Sequence, residues 1–103
     1  VSVSDAEIAR VHELFEGLGG LSHRKMMGGA SFYTDGQIFA ILSSDGQIFL
    51  KAKGAFADTL AAEGCEKFEM ADGRSMGYWT LPDAALDDPD LACDWARRAI
   101  EAL

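Results

Sequence analysis

The sequence is poor in what would let a chain span a membrane, staple itself or hold a polyanion. Its longest uninterrupted apolar run covers residues 38–42, whereas a bilayer-crossing helix needs about 20 residues. Two cysteines, Cys65 and Cys93, lack CxxC spacing. They are too few for a disulfide scaffold and fit a reducing cytoplasm. The opening Val1-Ser2-Val3-Ser4-Asp5 holds neither a basic region nor an apolar stretch, so no signal peptide is expected. Basic residues are scarce, nine Lys and Arg against seventeen Asp and Glu, for a net charge of −8. Residues 1–53 carry −1 of this and residues 54–103 carry −7. Such a surface repels phosphate backbones and anionic membranes, and its simplest effect is solubility. Direct DNA binding by this chain alone is not expected, nor is membrane association.

Catalytic and cofactor signatures are also missing. There is no GxSxG, P-loop, HExxH or GxGxxG. The cluster Gly17-Leu18-Gly19-Gly20 follows a helical stripe, whereas a phosphate cradle precedes one. His12 and Glu16 stand four apart and could share a helix face. Two ligands fall short of a zinc site, and His23 is expected in a separate loop. Asp83, Asp87, Asp88, Asp90 and Asp94 lack the alternation and central glycine of a calcium loop. A helix cap and the macrodipole explain them. Neither cysteine has a basic neighbour in sequence that would activate a thiol. No catalytic residue, cofactor site or metal site is assigned.

The apolar pattern carries the fold. Ser4-Asp5-Ala6-Glu7 matches a capping box, and Ile8, Val11, Leu14, Phe15 and Leu18 recur at helical spacing. A first helix is expected at about residues 5–17. Two Asp-Gly turns, Asp35-Gly36 and Asp45-Gly46, each lead into Gln-Ile-Phe, so three strands at about 25–33, 37–43 and 47–52 form a meander. Gly28-Gly29 marks a bulge or a close backbone approach inside the first of them. Phe56 and Leu60 sit in a second helix at about 54–63. A second hairpin, Lys67 to Met70 and Met76 to Leu81, flanks Asp72-Gly73. Asp88-Pro89 starts a last helix lined by Leu91, Trp95 and Ala99. The order is α-βββ-α-ββ-α. It implies one α+β domain over 1–103, a two-layer sandwich on a mostly antiparallel five-stranded sheet. No linker, low-complexity tract or second core divides it.

Strand two is apolar on both sides, with Ile38, Ala40 and Leu42 on one and Phe39 and Ile41 on the other. A sheet with one solvated face alternates apolar with polar. Both faces are therefore expected to be covered, one by helices and the other by self-association or a wrapped helix, and a homodimer built on the sheet is the expectation. His23-Arg24-Lys25 and the pair Lys51 and Lys53 are the densest basic groups. In a meander they fall at opposite ends of the sheet and do not merge.

Two segments resemble a known family. Arg24-Lys25-Met26-Met27-Gly28-Gly29, followed by Phe32-Tyr33 and the Asp-Gly turn, resembles the Arg-Lys-Met-Phe-Gly-Gly opening of the TfoX N-terminal domain family. Met76-Gly77-Tyr78-Trp79-Thr80-Leu81-Pro82, then Asp88, Leu91, Trp95 and Ala96, resembles its Met-Ser-Tyr-Trp-x-Leu-Pro segment and closing helix. Phe49-Leu50-Lys51 resembles its third strand. Met27 stands where the family usually has Phe, and Gly77 where it often has Ser. The resemblance implies a secretion-chaperone-like fold. It also implies kinship with competence regulators that act as coactivators beside the cyclic-AMP receptor protein. Those regulators are similar in their first half and carry a further C-terminal domain. No catalytic residues come with the family. The expectation is a non-enzymatic, cytoplasmic protein-interaction domain, a transcription-linked adaptor whose partner is a protein. Arg24, Lys25, Lys51, Tyr78 and Trp79 are its candidate interaction surface. The alternative is a small-ligand-binding domain or minor enzyme using the sheet face near Gly28-Gly29.

Overall fold

The N-terminal capping box forms as the sequence implies. The backbone N–H of Glu7 donates to Ser4 Oγ at 3.2 Å, and the N–H of Ser4 donates to Glu7 Oε1 at 3.0 Å. From it runs α1, Asp5–Leu14, burying Ile8, Val11 and Leu14. The computed structural model describes residues 3–26, 28–69 and 75–103. After α1 come a 3-10 turn at Glu16–Leu18, then β1 at Leu21–Met26, β2 at Gly29–Thr34, β3 at Gln37–Leu42 and β4 at Ile48–Lys51. Helix α2, Gly54–Ala62, leads to β5 at Lys67–Glu69 and β6 at Ser75–Thr80. A short 3-10 turn, Asp83–Ala85, precedes α3 at Pro89–Glu101. Asp88 caps α3 by accepting from the N–H of Leu91 at 3.2 Å, with Pro89 where a missing N–H costs nothing.

The sheet has six strands in the order β1-β2-β3-β4-β6-β5, every neighbouring pair antiparallel. One strand more than expected arises because the stretch 25–33 is not continuous. Met26 pairs with Gly29, and Gly28 takes φ +84°, a left-handed conformation that turns the chain back. The segment from Leu21 thereby becomes an edge strand of its own. The second glycine has a different role. A Cβ at Gly29 would lie 2.1 Å from the carbonyl oxygen of Leu42, so β2 and β3 approach closely only with glycine there. The turn at Asp35-Gly36, φ +49° and +83°, is the tight hairpin its sequence implies. Asp72-Gly73 lies outside the described residues.

All three helices pack on one face. Their core contains Val11 of α1 and Phe15 at its C-cap, Phe56 and Leu60 of α2, and Trp95, Ala96 and Ala99 of α3. From the sheet come Phe32, Ala40, Leu42, Ile48 and Leu50. Phe39 joins them, its ring edge-on to Phe15 at 5.2 Å, which corrects the face expected for it. The β2–β3 register slips between Phe32 and Tyr33, pairing Phe32 with Ala40 but Tyr33 with Ile38. Phe39 is the extra residue of a β-bulge, so it turns inward beside Ala40 and Ile38 moves to the opposite face. Arg97 Nη2 donates to the carbonyl of Gly17 at 3.1 Å and ties α3 to the end of α1.

Candidate functional site

Pairing registers place the residues of the other sheet face in two rows. Arg24 faces Ser31, Ser31 faces Ile41, Ile41 faces Phe49 and Phe49 faces Thr80. One pair further along, Ser22 faces Tyr33, Tyr33 faces Ile38, and Lys51 faces Tyr78. No helix among the described residues packs on these rows. Even so, Ser31, Phe49 and Tyr78 are only 1%, 4% and 5% exposed. A sheet buries such residues by curling about its own face, and the register slips in β2–β3 and β5–β6 are sites of added twist. Phe68 of β5 closes over this side with its ring 4.8 Å from Phe49. Ser31 Oγ donates to Tyr33 Oη at 3.2 Å. Burial pushes the Tyr78 phenol above the ordinary tyrosine range, and Tyr33 adds to the shift, so the two phenols share one electrostatic environment.

The result is a largely apolar floor with Arg24 and Lys51 set in it. Arg24 is exposed and Lys51 half-buried, and no carboxylate among the described residues forms an ion pair with either. They occupy neighbouring rows three strands apart, about 14 Å along the sheet. That corrects the expectation of opposite ends, and the cause is the turn at Gly28, which moves Arg24 onto β1.

The five candidate residues divide between the faces. Arg24, Lys51 and Tyr78 lie on the helix-free face. Lys25 lies on the other and pairs with Asp5 of α1 at 2.8 Å, an ion pair that holds the Asp5 carboxyl below its usual range. Trp79 faces Leu50 and packs half-buried against the helix-side core. Lys67 Nζ sits over its ring, 5.7 Å from the centroid. Sequence reasoning missed Ser31, Tyr33 and Phe49 as parts of the same floor. Period-two alternation along β2 carries the signal for the first two, but which face it meant depended on the bulge.

A second grouping was also missed. His23 is not in a loop: it lies on β1, and His12 Nε2 is 2.8 Å from His23 Nδ1. One ring donates and the other accepts. Burial, then the neighbouring His23, lowers the pKa of His12. Beside the pair, a cleft of about 410 Å³ is lined by His12, Glu13, Glu16, Gly19, Gly20 and Leu21. Among the described residues no three His, Cys, Asp or Glu side chains converge as metal ligands. Burial raises the Cys65 thiol pKa, the opposite of what a reactive cysteine needs. Gly29 is buried against Leu42 and Ser43 at the end of β3.

Residues 13–103 match the family model described as TfoX N-terminal domain. This chain belongs to that family. A comparison with curated proteins finds no match. The motif segments of this TfoX N-terminal domain occupy structurally distinct places. Arg24-Lys25-Met26 and Gly28-Gly29 make the β1–β2 hairpin, and Gly77-Tyr78-Trp79-Thr80 makes the strand between β4 and β5. No helix of the described residues is long and apolar enough to cross a membrane.

Proposed function

We propose that this TfoX N-terminal domain is a non-enzymatic, cytoplasmic adaptor that docks an acidic protein partner on its helix-free sheet face. The observation that carries the reading is charge. In a chain of net −8, the charged side chains that the pairings of β1 to β4 set on this face among the described residues, Arg24 and Lys51, are both basic. A partner bearing carboxylates gains two attractive contacts there, over a floor of Ile38, Ile41, Phe49 and Tyr78 that supplies apolar contact. A second copy of the chain is the rival occupant. It would bring Arg24 and Lys51 against their own duplicates, and the bulge that turns Phe39 inward removes the largest apolar group expected to drive it. The kinship of the family with transcription coactivators suggests the transcription machinery as the place to look.

The test is direct binding of purified RNA polymerase and transcription factors from the same cell to immobilised domain. Binding that falls at least roughly tenfold in Arg24→Glu/Lys51→Glu supports the reading. Binding unchanged in that variant, or none at all, overturns it. Sedimentation at tens of micromolar reports the rival, a dimer that persists at high salt. This reading leaves no role for direct DNA contact. Two cations three strands apart neutralise few phosphates, and nonspecific affinity comes from that neutralisation. Fluorescence anisotropy with a labelled duplex at low salt is expected to show no micromolar binding.

A further inference from the structure

The sheet ends in two strands of unequal length, β5 with three residues and β1 with six. Only β2 pairs with β1 among the described residues, so along its outer side alternate N–H and C=O groups have no strand partner. Ser22 to Met26 are all exposed, and among the described residues Met26 is the one large apolar side chain that stands out in solvent, 44% exposed. The helix-facing side chains of β1 are held down: His23 by His12 and Lys25 by Asp5, each at 2.8 Å. Anchored in this way to α1, the edge is a fixed template about 20 Å long.

Its charge selects what can lie on it. His23, Arg24 and Lys25 are consecutive, so two copies of β1 laid antiparallel would set this triplet against itself. Like charges directly opposite one another destabilise a strand pair. The same edge offers an acidic strand Arg24 as a cation on the open side of the extended sheet, while Lys25 on the helix side is already paired with Asp5. Met26 adds an apolar contact beside Arg24.

We propose that an acidic, extended protein segment adds to the sheet along β1, pairing its main chain with Leu21–Met26 and its carboxylates with Arg24. The inference rests on the adaptor reading and gives it a partner conformation: a strand, not a helix or a folded surface. Affinity then comes from main-chain hydrogen bonds and specificity from side chains at alternate positions. The helix-free face takes whatever the segment carries on its open side.

The experiment titrates isotopically labelled domain with a synthetic peptide of alternating Glu and Val. Amide hydrogen exchange in β1 is followed by NMR. Two further peptides carry the same sequence with alternate residues N-methylated, one set in each, and a fourth replaces Glu by Lys. The expected result is roughly tenfold or greater exchange protection confined to alternate β1 amides. It is lost with one N-methylated set and kept with the other, and is absent for the Lys peptide. Arg24→Glu is expected to weaken binding roughly tenfold. Binding that tolerates both N-methylated peptides, or that shifts Tyr78, Phe49 and Lys51 without protecting β1, overturns strand addition and leaves the adaptor reading intact. No binding of the Glu peptide at millimolar concentration, with RNA polymerase or a transcription factor still bound through Arg24 and Lys51, overturns strand addition alone. Absence of both overturns the two together.

Discussion

On one side of the sheet Ala40, Leu42, Ile48 and Leu50 are buried under three helices. On the other, Ile38, Ile41 and Lys51 keep part of their surface in solvent although Phe49 and Tyr78 beside them are buried. The same strands build both faces, so the difference comes from what lies above them. Helices exclude water from the first face by bringing in Phe15, Leu60, Trp95 and their neighbours. Among the described residues, the second face excludes it through strand curvature and the reach of Phe68. A face closed by helices is a core. A face closed by its own curl keeps a rim of half-exposed apolar and basic side chains, which suits a surface that exchanges partners.

Truncations on the two faces break or sharpen that distinction. Phe15→Ala empties a fully buried site against Phe39 and is expected to cost about 3–5 kcal/mol, read from the shift in urea midpoint at unchanged slope. Phe49→Ala on the other face is expected to cost about 2–3 kcal/mol, because neighbouring side chains and solvent can close the gap. Equal losses would mean that the curled face is as tightly packed as the helix-covered one.

The His12–His23 contact gives the helix side a pH dependence that the curled face lacks at the same pH. The folded pKa of His12 lies below its unfolded value of 6.5, mainly through burial. The unfolded chain therefore binds more protons, and this contribution, present above pH 6.5, is lost as pH falls through the lower folded pKa. Stability measured from pH 8 downward is expected to decline across that window, and His12→Asn is expected to flatten the slope. A slope that survives the substitution would assign it to other groups. The smallest effect is expected at Lys51→Ala. With no ion pair among the described residues and a half-exposed side chain, it changes stability by no more than about 0.5 kcal/mol. A larger loss would make Lys51 part of the packing of the curled face and not a charge reserved for a partner.

Much of the local structure was legible in the chain because it depends on neighbours in sequence. Ser4 and Glu7 close the capping box across three residues, Asp35-Gly36 turns within two, and Asp88-Pro89 starts α3 without reference to anything distant. The stripe of Ile8, Val11 and Leu14 and the pair Phe56 and Leu60 showed which helix faces are buried, since period and side-chain direction are coupled along a helix. The motif segments placed the chain in its family on the same local grounds.

Face assignment in the sheet was decided elsewhere. A slip of one residue reverses every side chain beyond it, and the slip at Phe32 and Tyr33 follows from how β2 and β3 meet. Gly28 could have been a bulge or a turn by sequence alone; its φ of +84° and the pairing of Met26 with Gly29 made it a turn and created β1. That one event moved Arg24 onto the face of Lys51 and Tyr78, put His23 against His12, and left Lys25 on the other side. Sequence alone settled the helices, the Asp35-Gly36 turn, the acidic balance and the motif segments of the family. Which side chains share a surface was left to tertiary structure, because a strand's side chains alternate every residue and only the pairing of distant strands says which parity points where.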